Sequence, residues 1–472
     1  MKWLTPFSMI ILLISVSYSQ TMESITFPYL GKVQPRHAKE IQSSNWSVGA
    51  ETMDRDYTIY EHWKEYLGPL GIKKARLQAG WNKIEKQKGV YHFDWLDHIV
   101  YDIADQGVEP WMCLCYGNDL YANAGGTLLN ATLPTAPEAL DAWEKWVRQV
   151  VVRYKDVIDE WEVWNEPSNN EANTPEMYAT LLIHTAETVK SIQSDAKILA
   201  MSLGHVRVWN TWFLEFTDQV LNILSQQNKL HLVDQVTYHP YSYNPDTSYV
   251  VAEDLRRVIG KYASHITLRQ GENGAPSQRS TVRALPDYDW SELKQAKWAL
   301  RRLLGDLGRD IESSYFAIMD MKYPEEMNRK GLLYARNDKT VDHAKLAYAA
   351  VQHLISIFDH TLDRIENYSF QTDIETSLSV FGYENQYSGL QVITIWQDGM
   401  RPVESVETVD IDFTIFHGRF EQPVYVDLRT GEVYEIPKKN WSRKGSVYTF
   451  KDIPVYDSPV LIADKSLVFL QD

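Results

Sequence analysis

Residues 158–167 read IDEWEVWNEP, a strand-like run to residue 164 that ends in Asn165-Glu166-Pro167. Proline donates no backbone hydrogen bond and disfavours helix at the residue before it, so the chain must turn at Glu166. A short connection leads to Thr174-Pro175-Glu176, a capping hydroxyl followed by proline at the first helical position. Helical periodicity then runs over residues 175–191. The unit is a strand, an abrupt turn carrying a carboxylate, and a helix.

This unit recurs in both directions. Strand-like runs fall at residues 46–53, 72–78, 109–115, 158–164, 197–201, 235–239, 266–270 and 315–319. Helical stretches fall at 57–67, 95–106, 137–154, 175–191, 209–226, 248–262, 290–307 and 342–358. Strict alternation of this kind is what a (β/α)8 TIM barrel requires, here over residues 46–360. An open doubly wound sheet would carry a glycine-rich phosphate loop after its first strand, and none is present. Beyond residue 361 the pattern changes to short strands at 390–396, 409–416, 423–427, 431–436, 446–450 and 459–463. Turns such as Thr430-Gly431 and Lys444-Gly445 separate them, which predicts a C-terminal antiparallel β-sandwich domain over residues 361–472. The fold class is therefore α/β, a barrel with a sandwich beside it. Residues 20–45 are expected to pack on one or the other, closing the barrel floor or adding an edge strand to the sandwich.

The chain has 472 residues, 47 Lys+Arg against 63 Asp+Glu, and a net charge of −16, a balance opposed to nucleic-acid binding. Phe, Trp and Tyr make up 12%, including 16 Trp and 28 Tyr, enough rings for a large core or for stacking platforms. Lys2, an apolar run over residues 9–16 and Ser17-Tyr18-Ser19 read as a signal peptide over residues 1–19, so export to a periplasmic or secreted location is expected. No cysteine stands directly after the expected cleavage point, which argues against a lipid anchor, and no later run reaches the roughly 18 apolar residues of a membrane span. The two cysteines, Cys113 and Cys115, share one strand face and do not suit a disulfide. Asn45, Asn130, Asn367 and Asn440 each open an N-glycosylation tripeptide. No metal-ligand spacing, no nucleophile elbow and no cofactor motif is found, so no metal and no cofactor are expected. Oligomeric state is not legible.

Barrel enzymes work at the C-terminal ends of their strands. Those ends bring Glu51 and Asp54 after the first strand, Arg76 and Trp81 around the second, and Trp111, Tyr116 and Asn118 around the third. They continue with Asn165-Glu166, His239-Pro240-Tyr241, Gln270-Gly271-Glu272-Asn273-Gly274 and Asp320. Two glutamates across one ring of strand ends is the arrangement of glycoside hydrolysis, where one carboxylate attacks the anomeric carbon and the other protonates the leaving oxygen. Trp81, Trp111 and Tyr116 are candidate sugar platforms, with barrel core as the alternative for Trp111 in particular. Glu51 and Asp54 are read as hydroxyl binders or as partners of Arg55 or Arg76. Glu160 and Glu162 are assigned to barrel packing or solvent contact.

The run WEVWNEP resembles the fourth-strand signature of clan A glycoside hydrolases, whose retaining members carry an Asn-Glu pair there and a second Glu on strand seven. Among them the chain looks most similar to glycoside hydrolase family 39, the β-xylosidases and α-L-iduronidases, with a sandwich beside the barrel. The resemblance implies a glycosidase, Glu166 as general acid/base and Glu272 as nucleophile. Asn165 would hold the sugar 2-hydroxyl, Arg76 would keep the nucleophile ionised, and His239 and Tyr241 would match the His-x-Tyr at the end of strand six. Apolar walls such as Trp164, with the charge of Glu272, would keep a proton on Glu166. Most of the clan cuts β-linkages, and the long segments at 116–137 and 274–290 suggest a walled, exo-acting pocket for an oligo- or polysaccharide. The clan usually offers a tryptophan at the end of strand eight, whereas residues 317–323 hold none. Tyr323, or Asp320 with Lys322, would take that place. The rival readings are a silent sugar-binding barrel and a polysaccharide lyase.

Overall fold

The computed structural model describes residues 25–281 and 283–471. The expected signal peptide lies outside the described residues. Eight parallel strands close into a barrel: β1 Trp46–Gly49, β2 Lys74–Gln78, β3 Glu109–Leu114, β4 Glu160–Val163, β5 Lys197–Leu203, β6 Gln235–Tyr238, β7 Thr267–Asn273 and β8 Glu312–Tyr315. Sequence neighbours pair throughout, and β8 closes onto β1 through Ser313–Trp46 and Tyr315–Val48. Long amphipathic helices, such as Pro137–Tyr154 and Pro175–Ile192, cover the outside and bury one stripe each.

Three expectations are corrected here. The helix at 57–67 is broken into Tyr60–Trp63, a 3-10 turn over Lys64–Tyr66 and Leu67–Leu70, since Pro69 has no N–H for the carbonyl of Glu65, and Gly71 ends the last piece at φ +85°. The eighth strand is Glu312–Tyr315 rather than 315–319. Residues 316–319 are a buried apolar run whose Ile318 N–H bonds the carbonyl of Gly49, so they read as strand without being a barrel stave. The last helix starts at Leu346, after a hairpin of Leu333–Ala335 with Val341–Ala344.

A seven-stranded antiparallel sheet faces a four-stranded one in the C-terminal region. Strands Leu362–Arg364, Phe370–Thr372, Leu378–Asn385 and Trp441–Lys444 join those expected from the sequence. Period-two alternation assigns the faces of the larger sheet. Ile393, Ile395, Tyr425 and Ile462 point into the sandwich, whereas Val392, Trp396, Val426 and Leu461 join the barrel's own core. The helix Glu292–Leu307 lies at this junction and is buried on every side over its central turns. Its cations are matched there: Lys297 pairs with Asp457 and Arg301 with Asp246. Tyr29–Lys32 is the outer strand of the larger sheet, paired with Glu432–Glu435. Ala38 and Ile41, a few residues on, enter the barrel core, so this segment touches both domains.

Candidate active site

The turn at Glu166 carries two left-handed residues. Trp164 and Glu166 have φ of +67° and +51°, conformations that cost a non-glycine residue roughly 1–2 kcal/mol. Partners hold the turn: the Glu166 N–H bonds the Ser202 carbonyl at 3.0 Å, and Pro167 opens a one-turn 3-10 helix. On β5 the register shifts between Ala200 and Leu203, a bulge that turns the Ser202 side chain towards the site. β7 shows a similar shift between Gln270 and Asn273, which places Glu272 at the rim. Its neighbour Gly274 has no room for a side chain, since a Cβ there would stand 2.0 Å from the Phe316 carbonyl oxygen.

Arg76, in the middle of β2 and fully buried, organises the floor. Its Nε donates to Glu162 Oε2 at 2.9 Å, and Nη2 donates to the same oxygen and to Asn165 Oδ1 at 2.8 Å. Nη1 donates to Glu51 Oε1 at 2.8 Å and to Glu272 Oε2 at 3.2 Å. Tyr241 donates its phenol proton to the other oxygen of Glu272 at 2.7 Å. His239 Nδ1 faces Glu166 Oε1 at 2.9 Å and lies 3.7 Å from Glu272 Oε2, while its Nε2 meets Ser202 Oγ at 3.1 Å. Asn169 donates to the second oxygen of Glu166 at 2.8 Å. Donor atoms of Glu166, His239 and Glu272 all lie within 4.8 Å of one another, the one such cluster among the described residues. A cation there would have to displace the donors Arg76, Tyr241 and Asn169.

The charges are packed tightly enough to shift one another. Burial pushes the Glu51 carboxyl up to about 7; Arg76 pulls against this, and the charge of Glu272 adds to it. Burial is the largest influence and opposes the charge on Glu166, but the bond from His239 and the charges of His239, His205 and Arg76 together outweigh it and hold that carboxyl below its ordinary value. The two carboxylates facing His239 raise the imidazole above its own, against the cost of burial. The expectation that apolar walls keep the proton on Glu166 is corrected accordingly. Trp164 is buried among Tyr116 and Trp143, and the directions of the two shifts favour the proton on the histidine.

A cleft of about 400 Å³ opens over the floor, lined by Glu166, Glu272, Asn165, His239, Tyr241 and Glu51, among others. Several expected platforms are elsewhere. Trp81 is fully buried, stacked between Tyr121 and Trp146, with its N–H on Glu85. Trp111 is barrel core, flanked by the guanidinium groups of Arg76 and Arg269. Tyr116 is buried and accepts from Asn165 Nδ2 at 2.8 Å, so it positions Asn165 and offers no face to a sugar. Asn118 is consumed by the carbonyls of Trp81 and Glu85 and the N–H of Leu120. Asp320 is buried against Lys345 and Arg329 and accepts the N–H groups of Gly331 and Ala335. Asp54 pairs with Arg55, and Glu51 with Arg76.

The ring at the end of β8 is Phe316, which lines the cleft. Tyr323 lines it as well, but Arg283 and Tyr57 lie against its ring. Glu162, Ser202, Thr237 and Asn169 were not expected at the site. Glu160 and Glu162 face inward and meet no solvent: Glu162 also accepts from Thr237 Oγ1 at 2.5 Å, and Glu160 takes Lys74 and Arg269. Their signal was present in the strand alternation, since carboxylates on a buried face need cations on the strands opposite.

No family model matches the chain, and no curated protein does. Solved structures do. A family 39 glycoside hydrolase from the gut symbiont Bacteroides cellulosilyticus WH2 superposes with a TM-score of 0.64 at 17% identity, over 92% of this chain and 83% of that one. A monomeric beta-xylosidase from Caulobacter crescentus CB15 gives 0.59 at 14% identity, over 93% and 98%. A GH30 endoxylanase from Clostridium papyrosolvens C71 gives 0.58 at 13%, over 93% and 98%. At these identities the likeness is one of fold: the (β/α)8 barrel with an attached β-sandwich is similar to that of these glycoside hydrolases.

Proposed function

We propose that the chain is an exported retaining glycoside hydrolase that removes sugar residues from the ends of β-linked oligo- or polysaccharides. One observation carries the reading. Glu166, in the turn just past β4, and Glu272, on β7, each line the cleft and bring one carboxylate oxygen within 4.8 Å of the other's. Retaining pairs stand about 5–5.5 Å apart, whereas inverting pairs leave about 6.5–9.5 Å for a water.

In the first step an oxygen of Glu272 forms a bond to the anomeric carbon as the bond to the leaving oxygen breaks. Arg76 Nη1 and the Tyr241 hydroxyl hold Glu272 as an oriented carboxylate until then. The leaving oxygen takes its proton from Glu166, which draws on the proton shared with His239 Nδ1. In the second step Glu166 accepts a proton from water, the resulting hydroxide attacks the anomeric carbon, and Glu272 departs as a carboxylate. Asn165 Nδ2 spends one hydrogen on Tyr116 and retains one for a sugar hydroxyl beside the reacting carbon. End-acting cleavage is supported by the cleft lining, to which Leu129 and Asn130 from the long segment after β3 and Arg283 and Ala284 from the segment after β7 contribute. The β-linkage rests on the clan resemblance, and export on Lys2 and the apolar run of residues 9–16.

The test is Glu166→Ala assayed with natural and aryl glycosides. Activated leaving groups need no acid, so turnover of these is spared relative to natural linkages, and azide restores it to give a glycosyl azide of the substrate's anomeric configuration. Equal loss on both substrate types removes Glu166 from the acid role.

A further inference from the structure

One wall of the cleft carries positive charge that the reaction above does not use. Lys330, just past the hairpin strand Met327–Asn328, lines the cleft and is only 3% exposed. Among the described residues its Nζ makes no hydrogen bond and no ion pair; it stands 5.8 Å from the centre of the Tyr241 ring. Tyr241 in turn bonds Glu272, so this ammonium faces the same space as the reacting carboxylate. Burial pushes Lys330 down to about 8, with Glu272 and Glu326 attracting the charge and Arg283 repelling it. Arg283 lines the same cleft, with its Nε on Glu326 at 2.8 Å. Arg55 lines it too, and its Nη1 has no partner.

The Lys330 stem is buried while its nitrogen, with no protein acceptor, opens to the cleft beside a second cation, which favours an anion arriving there. A neutral sugar needs only hydroxyl-sized partners and gives no reason to keep that charge. An anion on the bound ring satisfies Lys330 and Arg283 together. We infer that Lys330, with Arg283, forms a subsite for an anionic group, a carboxylate or a sulfate ester, on the sugar whose anomeric carbon meets Glu272. This rests on the reading of Glu272 as the reacting group. The net charge of −16 repels such a ligand at long range, so the attraction is local.

Binding tests it without turnover, and so apart from the glycosidase reading. Monosaccharide pairs that differ only in charge (glucuronate and glucose, galacturonate and galactose, galactose 6-sulfate and galactose) are titrated into the intact protein by calorimetry. We expect the charged member of at least one pair to bind tenfold or more tighter, and Lys330→Met to abolish the difference. The uronate and sulfate pairs distinguish the two anions. If no charged member exceeds its neutral counterpart, or if the preference survives in Lys330→Met, the subsite is overturned.

Discussion

Arg76 and Glu162 meet through two nitrogens on one oxygen: both Nε and Nη2 of the arginine donate to Glu162 Oε2, with neither side chain exposed. The guanidinium is thereby fixed with its remaining nitrogen aimed at Glu51 and Glu272. Glu162 is four residues upstream of Glu166, so one strand and the turn that follows it supply both the anchor of the group that holds the nucleophile and the proposed acid.

Breaking this pair should cost both stability and rate. Arg76→Ala leaves Glu162 buried without its main cation, a loss of about 3–5 kcal/mol for a buried pair deprived of one partner, read by urea denaturation. Glu162→Gln keeps a polar group in place but loosens the guanidinium. We expect kcat to fall roughly 100-fold, as for a misplaced catalytic group, with the melting temperature changed far less than in Arg76→Ala.

Glu272→Gln should lower kcat about 10⁴-fold or more while the protein stays folded, since the amide keeps the shape and cannot form the ester. Circular dichroism and aryl-glycoside kinetics measure both halves.

The basic limb of the pH profile should belong to the His239–Glu166 pair. His239 is raised above its ordinary 6.5 by the facing carboxylates, so the shared proton persists past that pH and is lost as pH climbs through the raised value. In His239→Asn the proton must reside on Glu166 alone, and the limb of kcat/KM should move to lower pH. A limb that stays in place would assign it to another group.

Glu51 makes a prediction about stability. Its carboxyl titrates near 7 in the folded chain against 4.5 when free, so between those values the native state binds the extra proton. Stability therefore falls as pH rises through that window, by on the order of 3 kcal/mol for a shift of this size. Glu51→Gln should flatten the fall, which denaturant titrations at pH 5 and pH 8 would read.

Much of the barrel is legible because its signals are local. Pro137 and Pro175 at first helical positions mark two helices whose starts agree with the structure, and strands β2 to β6 fall within a few residues of the runs that announce them. The eighth strand is misread because Phe316 to Met319 is apolar and buried without being a stave, its Ile318 N–H bonding the carbonyl of Gly49 past the end of β8. The same slip hid Phe316 as the ring at that strand end.

The site is legible where turn chemistry exposes a side chain, as at Glu166 before Pro167. It is illegible where burial decides. Trp81 and Trp111 have the chemistry of sugar platforms, but nothing local distinguishes a ring packed on Trp146 or between two arginines from one that faces solvent. Asp320 likewise sits near a strand end, and only the distant Lys345 shows that it is already paired. The bulge that brings in Ser202 depends on the register between β5 and β6, a property of two strands together.

The central claim is that Glu272 becomes covalently attached to the sugar. Incubation with 2-fluoro glycosides and epoxide probes of several configurations, including charged ones, followed by peptide mapping in a mass spectrometer, tests it directly. The account predicts a single adduct on Glu272, absent in Glu272→Gln. An adduct on any other carboxylate, or turnover that gives an inverted product with no adduct, would contradict it.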